Sequence, residues 1–183
     1  MECSDGGQDN PASFIVVPTG QNPAPQVDPA ELAQRAVDSM TLLGPDVASP
    51  RATGKYTVGV PMWMWVNQSA TTYGPNTATA TAGAVTVTAT AKVSKIVWAM
   101  GDGASVTCNG PGAPYTSSEG MAQSPSCGHV YSKTSADAQN SKFPVTATST
   151  WTINWQGGGQ VGQLTEVRQT NVQVAVGEVQ VVR

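Results

Sequence analysis

The 183-residue chain is poor in charge and in histidine. Charged residues make up 11% of it, against about a quarter in an average soluble domain, and it has one histidine. The formal net charge is −3, and no run of basic residues occurs. The sequence therefore lacks the electrostatic footprint of a protein that binds nucleic acid or an anionic membrane surface. Thr, Ser, Gln and Asn supply the polar surface instead, a composition typical of exposed β faces in secreted proteins.

The sequence also lacks long apolar segments. No stretch approaches the roughly 20 apolar residues of a transmembrane helix. Met1 is followed at once by polar residues, without the basic and apolar regions of a signal peptide. We interpret this as a truncated start rather than as the start of a cytosolic protein, because the cysteines favour an oxidising compartment.

Motifs for several common chemistries are missing. No Gly-x-x-x-x-Gly-Lys-Ser/Thr phosphate loop occurs, so no nucleotide is expected. No Gly-x-Ser-x-Gly elbow supports a catalytic serine, and Glu119, Glu166 and Glu178 are isolated acids. The sequence predicts no cofactor, no metal and no catalytic residues. A hydrolase with an unrecognised site, in which two acids or a serine and His129 converge, is the less favoured alternative.

Cysteine is scarce too, with residues at positions 3, 108 and 127. A bond between Cys108 and Cys127 closes a loop of about 20 residues and would stabilise the fold by about 3 kcal/mol. A metal site is the weaker reading, since neither Cys-x-x-Cys nor a second histidine accompanies the pair. We therefore predict a disulfide between Cys108 and Cys127. Cys3 is left over, either free or paired with something outside the chain.

The chain divides into three predicted parts. Residues 1–27 are rich in Pro, Gly, Gln, Asn and Asp, which indicates a flexible arm in which only Phe14–Val17 can pack. Residues 28–44 predict a helix that starts at Asp28-Pro29 and ends at Gly44-Pro45. Its apolar stripe is expected to pack within the chain, with contact to a partner as the alternative. Residues 55–183 read as a β domain.

Alternation of apolar and polar residues defines the strands of that domain. Phe143–Trp155 is the clearest strand, and the glycines at 157–159 follow it as a turn. The apolar parity changes near Ser94, between Val93 and Ile96, which predicts a β-bulge. A second bulge is predicted at Gly177, inside a last strand spanning 172–182. Seven or more short strands with one helix indicate a β-sandwich.

A Trp, a Gly-Asp-Gly turn, a Pro-x-x-x-His-x-Tyr stretch and an aromatic strand follow one another in this domain. The residues are Trp98, Gly101, Asp102, Gly103, Pro125, His129, Tyr131, Phe143 and Val145. In this order they resemble the PKD (polycystic kidney disease-type) domain. The resemblance implies an Ig-like sandwich on a secreted or surface protein, with a role in adhesion, assembly or spacing and no catalysis. Two cysteines, a longer loop and the polar insertion Ser132–Ser141 depart from the family pattern. The whole chain is also similar to secreted proteins of high-GC Gram-positive bacteria.

Asp102 and His129 each admit a structural and a chemical reading. A calcium site at Asp102 would need six or more oxygen ligands, and few carboxylates lie nearby in sequence. We therefore expect Asp102 to bind backbone amides while Gly101 and Gly103 adopt turn conformations. The resemblance implies that His129 and Tyr131 pack beside this turn.

The run Met62-Trp63-Met64-Trp65 has bulky residues of both parities. Trp63 and Trp65 are expected to share one face of a strand, buried under the helix segment Leu32–Met40. The alternative is an exposed pair that stacks on sugar rings or anchors a protein interface. Trp155, beside the glycine turn, is a second candidate for such exposure.

Together these features predict a mainly β protein: an Ig/PKD-like antiparallel β-sandwich with one short N-terminal α-helix. We interpret the chain as a secreted or cell-surface, non-enzymatic module for protein–protein interaction or surface assembly. The alternative is a carbohydrate-binding module that uses exposed tryptophans. The expected partner is accordingly a protein or a cell-wall glycan.

Overall fold

A computed structural model describes residues 25–179, and within them the chain forms one α-helix and ten β-strands. The elements are α1 (Pro29–Asp38), β1 (Asp46–Ser49), β2 (Lys55–Thr57), β3 (Pro61–Trp63), β4 (Trp65–Asn67), β5 (Asn76–Ala82), β6 (Val85–Ala99), β7 (Ser105–Cys108), β8 (Gly128–Val130), β9 (Phe143–Gly157) and β10 (Gln160–Gly177). The mainly β class with one short N-terminal helix is confirmed. The predictions for Cys3 and Phe14–Val17 lie outside the described residues.

Helix α1 begins as the sequence predicts and ends earlier. The Asp28 carboxylate accepts a hydrogen bond from the Ala30 amide at 2.9 Å, and proline occupies the first turn. The predicted end at Gly44-Pro45 is wrong, because the helix stops at Asp38. The Ser39 hydroxyl donates to the Ala36 carbonyl at this end. Backbone groups further along the chain make hydrogen bonds outside the helix. The Leu43 amide, for example, donates to the Thr71 carbonyl.

Six strands form the main sheet. Five of them follow the order β2-β10-β9-β6-β5, and β7 pairs with the C-terminal part of β6, from Ile96 to Ala99. All pairs are antiparallel except β2 with β10. The long strands β6, β9 and β10 contain 15, 15 and 18 residues and run through the whole sheet. All three contribute residues to one buried hydrophobic cluster.

The bulge predicted near Ser94 is confirmed, since the β6–β9 register shifts between Val93 and Lys95. An extra residue at this point reverses the side-chain parity of β6. As a result Val93 before it and Ile96 after it both lie in the core, together with Trp98.

The core lies on one face of the main sheet. In β9 every second residue from Phe143 to Trp155 is buried there. Helix α1 covers the end formed by β5, β6 and β9. The two-stranded sheets β1–β4 and β3–β8 contribute Met62 and Val66 to the same buried cluster. This two-layer arrangement fits the predicted β-sandwich, while the Ig/PKD-type topology stays a prediction.

Two predicted strands have different bounds in the structure. The predicted segment Met62–Val66 is broken at Met64, so that Trp63 ends β3 and Trp65 begins β4. The predicted bulge at Gly177 is wrong for the described residues, because β10 is continuous and ends at this glycine. Val179 lies beyond the strand and is exposed.

Candidate functional site

The turn after β6 is built by its glycines. Gly101 and Gly103 both have positive φ angles, 80° and 99°, which L side chains rarely adopt. A Cβ at Gly101 would also lie 2.8 Å from the Cβ of Phe143. Asp102 closes the turn, because its Oδ1 accepts a hydrogen bond from the Ala104 amide at 2.9 Å. The structural role predicted for this Gly-Asp-Gly sequence therefore agrees with its geometry.

His129 reaches the same turn from β8. Its Nε2 lies 2.8 Å from Oδ2 of Asp102, and the His and Asp side chains are 12% and 7% exposed. Burial tends to raise the pKa of Asp102. The hydrogen bond from Ala104 and the hydrogen bond and charge of His129 outweigh this effect, so that the pKa of Asp102 is lowered. Both carboxylate oxygens of Asp102 are thus engaged within the protein.

Tyr131 connects the Asp102–His129 pair to the hydrophobic core. Its ring meets His129 edge to face at a centroid distance of 4.7 Å and stacks on Phe143 at 5.2 Å. Its hydroxyl donates to the Met100 carbonyl at 2.9 Å. Burial, together with the nearby charge of Asp102, raises the pKa of the Tyr131 phenol well above its usual range. The four predicted residues Asp102, His129, Tyr131 and Phe143 are therefore brought together as one packed corner.

An Asp–His pair can serve as a general base when a nucleophile lies within hydrogen-bond reach of the imidazole. The recess beside His129 has a volume of about 250 Å³ and includes Ser124. The Ser124 hydroxyl accepts hydrogen bonds from the amides of Ser126 and Cys127. Among the described residues no serine or threonine hydroxyl hydrogen-bonds to His129, and no group of three or more His, Cys, Asp or Glu could hold a metal ion.

The disulfide predicted between Cys108 and Cys127 is confirmed. It joins the end of β7 to the residue before β8, with a Cα–Cα distance of 5.6 Å. The closed loop lies along the edge of β4, since the Pro111 carbonyl accepts a hydrogen bond from the Val66 amide at 2.8 Å. A Cβ at Gly112 would overlap the Met64 carbonyl oxygen. The disulfide therefore holds the segment beside β4 in place.

The three candidate tryptophans have separate environments. Trp63 is 6% exposed; its Nε1 donates to the Ala122 carbonyl at 2.8 Å, and its ring meets Tyr115 edge to face. The prediction that α1 buries Trp63 and Trp65 is wrong, because α1 contacts β5, β6 and β9. Trp155 is 8% exposed and its ring lies over Gly162, so the alternative of an exposed Trp155 is wrong.

Trp65 alone of these three is half-buried. It lines an open groove of about 790 Å³ between the β1–β4 sheet, the loop after β1 and the end of β10. Trp63 and Trp65 therefore do not form a common platform.

Three buried polar residues of the described chain, Ser49, Ser135 and Ser149, were not anticipated. Ser135 is 2% exposed, and its Oγ donates to the Ser141 carbonyl and accepts from the Val176 amide. It thereby joins the polar insertion to the end of β10. Ser149 lies in the apolar face of β9, opposite Ile96. The alternation of β9 would have identified Ser149, whereas no local pattern identifies Ser135.

The other face of the main sheet is not covered by any described element, and we call it the open face. Its side chains, none of them buried, are Thr77, Thr79, Thr81, Thr86, Thr88, Thr90, Lys92, Lys95, Val97, Ala99, Ser105, Thr107, Thr146, Thr148, Thr150, Thr152, Asn154, Gln156, Val161, Gln163, Thr165, Val167, Gln169, Asn171 and Gln173. They are mostly hydroxyls and amides, with Lys92 and Lys95 as the charged residues; Lys55 of β2, opposite Ala175 of β10, adds a third lysine to this face, and none of these residues is acidic. The alternating threonines of the sequence are the signal that points to this surface.

Comparison with known proteins gives no match: no protein-family model, no curated protein and no solved structure is similar to the chain. The PKD resemblance therefore stays a prediction. In the part of the chain that the structure describes, no helix has the length and apolarity needed to cross a membrane.

Proposed function

We propose that this chain is a non-enzymatic, secreted or cell-surface module that binds a partner or assembles a surface structure. The disulfide between Cys108 and Cys127 supports an oxidising compartment, because such bonds are rare in the cytosol. The low charge of the chain supports the same location.

The packed corner supports a structural rather than a catalytic role for the single histidine. His129 is held between the turn carboxylate of Asp102 and the ring of Tyr131. Catalysis would require this imidazole to accept a proton from a positioned nucleophile, and the hydrogen bonds of Ser124 run to backbone amides instead. The four residues of this corner are among those that carry the resemblance to the PKD domain, a family whose members serve in adhesion and assembly.

The open face is the observation that carries the proposal. Strands lie about 4.8 Å apart and present side chains on one face about every 7 Å, so hydroxyls and amides form regular rows. Several of them already pair across strands, such as Thr77 with Thr90 at 3.0 Å and Asn154 with Gln163 at 3.0 Å. A rigid surface of this kind offers many weak hydrogen bonds at a small cost in side-chain entropy, which suits an interaction module.

Cell fractionation with a variant of the open face tests the proposal. The protein would be expressed from its native gene in its source cells as wild type, as Thr148→Arg on the open face and as Thr41→Arg in the exposed loop after α1. We expect the wild type and Thr41→Arg to remain on washed cells, accessible to protease, and Thr148→Arg to be released. Melting temperatures would establish that both variants fold.

The thiol state of the recovered protein completes this test. Mass spectrometry of unreduced peptides should show Cys108 linked to Cys127. Recovery of the chain from the cytosol with both thiols free would refute the extracellular assignment. Equal retention of Thr148→Arg and wild type would refute the role of the open face.

A further inference from the structure

The groove beside Trp65 is a second surface, separate from the open face over most of its extent. Its lining includes Arg51, Trp65, Asn67, Asn171 and Gln173. Its volume of about 790 Å³ falls within the range of about 300–1,000 Å³ that is typical of small-molecule sites. One aromatic ring and three side-chain amides thus line a concave surface of suitable size.

The backbone places Trp65 on the solvent side of its strand. Alternate residues of a strand point to opposite faces, and Val66 is 4% exposed and belongs to the core. Trp65 and Asn67 therefore point away from the core. Beside β4, a Cβ at Gly112 would lie 2.8 Å from the Cα of Trp65, so the disulfide-closed loop fits closely against the backbone of this residue. The backbone of Trp65 is accordingly held in position before any ligand arrives.

The polar groups of the groove include hydrogen-bond donors in fixed positions. Oδ1 of Asn171 accepts a hydrogen bond from Thr146 at 2.8 Å, which leaves the amide nitrogen of Asn171 as its donor. Nε of Arg51 donates to the Ala48 carbonyl at 3.2 Å and thereby restrains the guanidinium group of that side chain. The lining contains no carboxylate and one cation, Arg51.

We propose that this groove binds a segment of a neutral oligosaccharide, with Trp65 as the ring on which a sugar stacks. A pyranose has an apolar face of C–H groups, which suits an indole ring, and hydroxyls around its edge, which suit side-chain amides. An acidic chain would gain from Arg51 alone, while the Asp46 carboxylate that binds Asn67 and the formal net charge of −3 oppose it, so an uncharged chain is favoured. This inference rests on the proposed binding function and assigns the chemistry of one partner.

Calorimetric titration of the full, oxidised chain with cellohexaose, chitohexaose, maltohexaose and an acidic comparison, hexagalacturonate, tests the inference. We expect saturable binding of at least one neutral hexaose. Trp65→Ala should weaken it by at least about tenfold, as expected for an aromatic residue at the centre of a site. Trp65→Phe should restore part of the affinity, since it keeps an aromatic face.

Met121→Ala is the control, because it removes a large, exposed apolar side chain outside the groove. It should leave the affinity unchanged, and thermal melts would show that each variant is folded. Absence of binding to all three neutral hexaoses, equal affinity of Trp65→Ala, or preference for hexagalacturonate would each overturn the inference. If the wild-type protein then still remained on washed cells, the proposed interaction function would be retained, and only the proposal that the groove binds an oligosaccharide would be refuted.

Discussion

Replacement of Asp102 tests the packed corner most directly. Asp102→Ala removes the acceptor for the Ala104 amide, worth about 1 kcal/mol for a cap of this kind. It also removes the hydrogen bond to His129, worth about 1.5–3 kcal/mol when one partner is charged. We therefore expect the free energy of unfolding to fall by about 3 kcal/mol, which lowers the melting temperature by roughly 6–12 °C in a domain of this size.

Asp102→Asn should cost less, about 1 kcal/mol, because its amide oxygen still accepts from Ala104 and only the charge is lost. Urea unfolding at neutral pH would measure both variants beside Asp137→Asn, a matched change at an exposed loop position. Equal stability of all three variants, within about 0.5 kcal/mol, would refute the structural role of Asp102.

The same pair predicts how stability depends on pH. The folded-state pKa of Asp102 lies below its ordinary value of 3.8, so between these two values the unfolded chain binds more protons than the folded one. The contribution of Asp102 is therefore present above pH 3.8 and is lost as the pH falls through the folded-state pKa. Wild type and Asp102→Asn should converge in stability on acidification; a constant difference would contradict this account.

Two further predictions concern the disulfide-closed loop. Replacing both Cys108 and Cys127 by Ala should lower the free energy of unfolding by about 3 kcal/mol in the chain-entropy model, and chemical reduction of the wild type should have a similar effect in urea unfolding. An unchanged urea midpoint would contradict the expected contribution of the disulfide. Gly112→Ala should be less stable than Gly59→Ala by about 2 kcal/mol. Both glycines have positive φ, 81° and 78°, but only a Cβ at Gly112 overlaps its surroundings. Equal melting temperatures of the two variants would show that the loop relaxes to accommodate the added methyl group, and would contradict this prediction.

Local patterns in the sequence predict much of the fold. Strict alternation identifies β9 from Phe143 onward, and the change of parity identifies the bulge at Ser94. The residues at the start of α1 identify its first turn. Each of these signals depends on neighbours within a few positions, which is why the sequence alone reveals them.

Features that depend on distant contacts were not predictable. Trp63 is buried by Ala122 and Tyr115, from a loop more than 50 residues later, and the sequence gives no sign of this contact. The break at Met64 is similarly hidden, because the bulky run reads as one strand. The groove at Trp65 combines three separated segments, 47–53, 65–67 and 171–173. Its existence follows from the way β1 and β10 meet, which no local pattern encodes.

The bulge at Ser94 makes β6 tolerant of a change in length at this one position. Ser94 is exposed, and its hydroxyl makes one hydrogen bond, to the Thr150 carbonyl, so most substitutions there should be accepted. Deletion of this one residue would give β6 a uniform alternation. Val93 and Ile96 would then be two positions apart, both would still point into the core, and the pairing with β9 would run without a shift. A deletion far from the bulge would instead turn core side chains of β6 to the open face, so a change in the length of this strand should be tolerated at Ser94 and not at its ends.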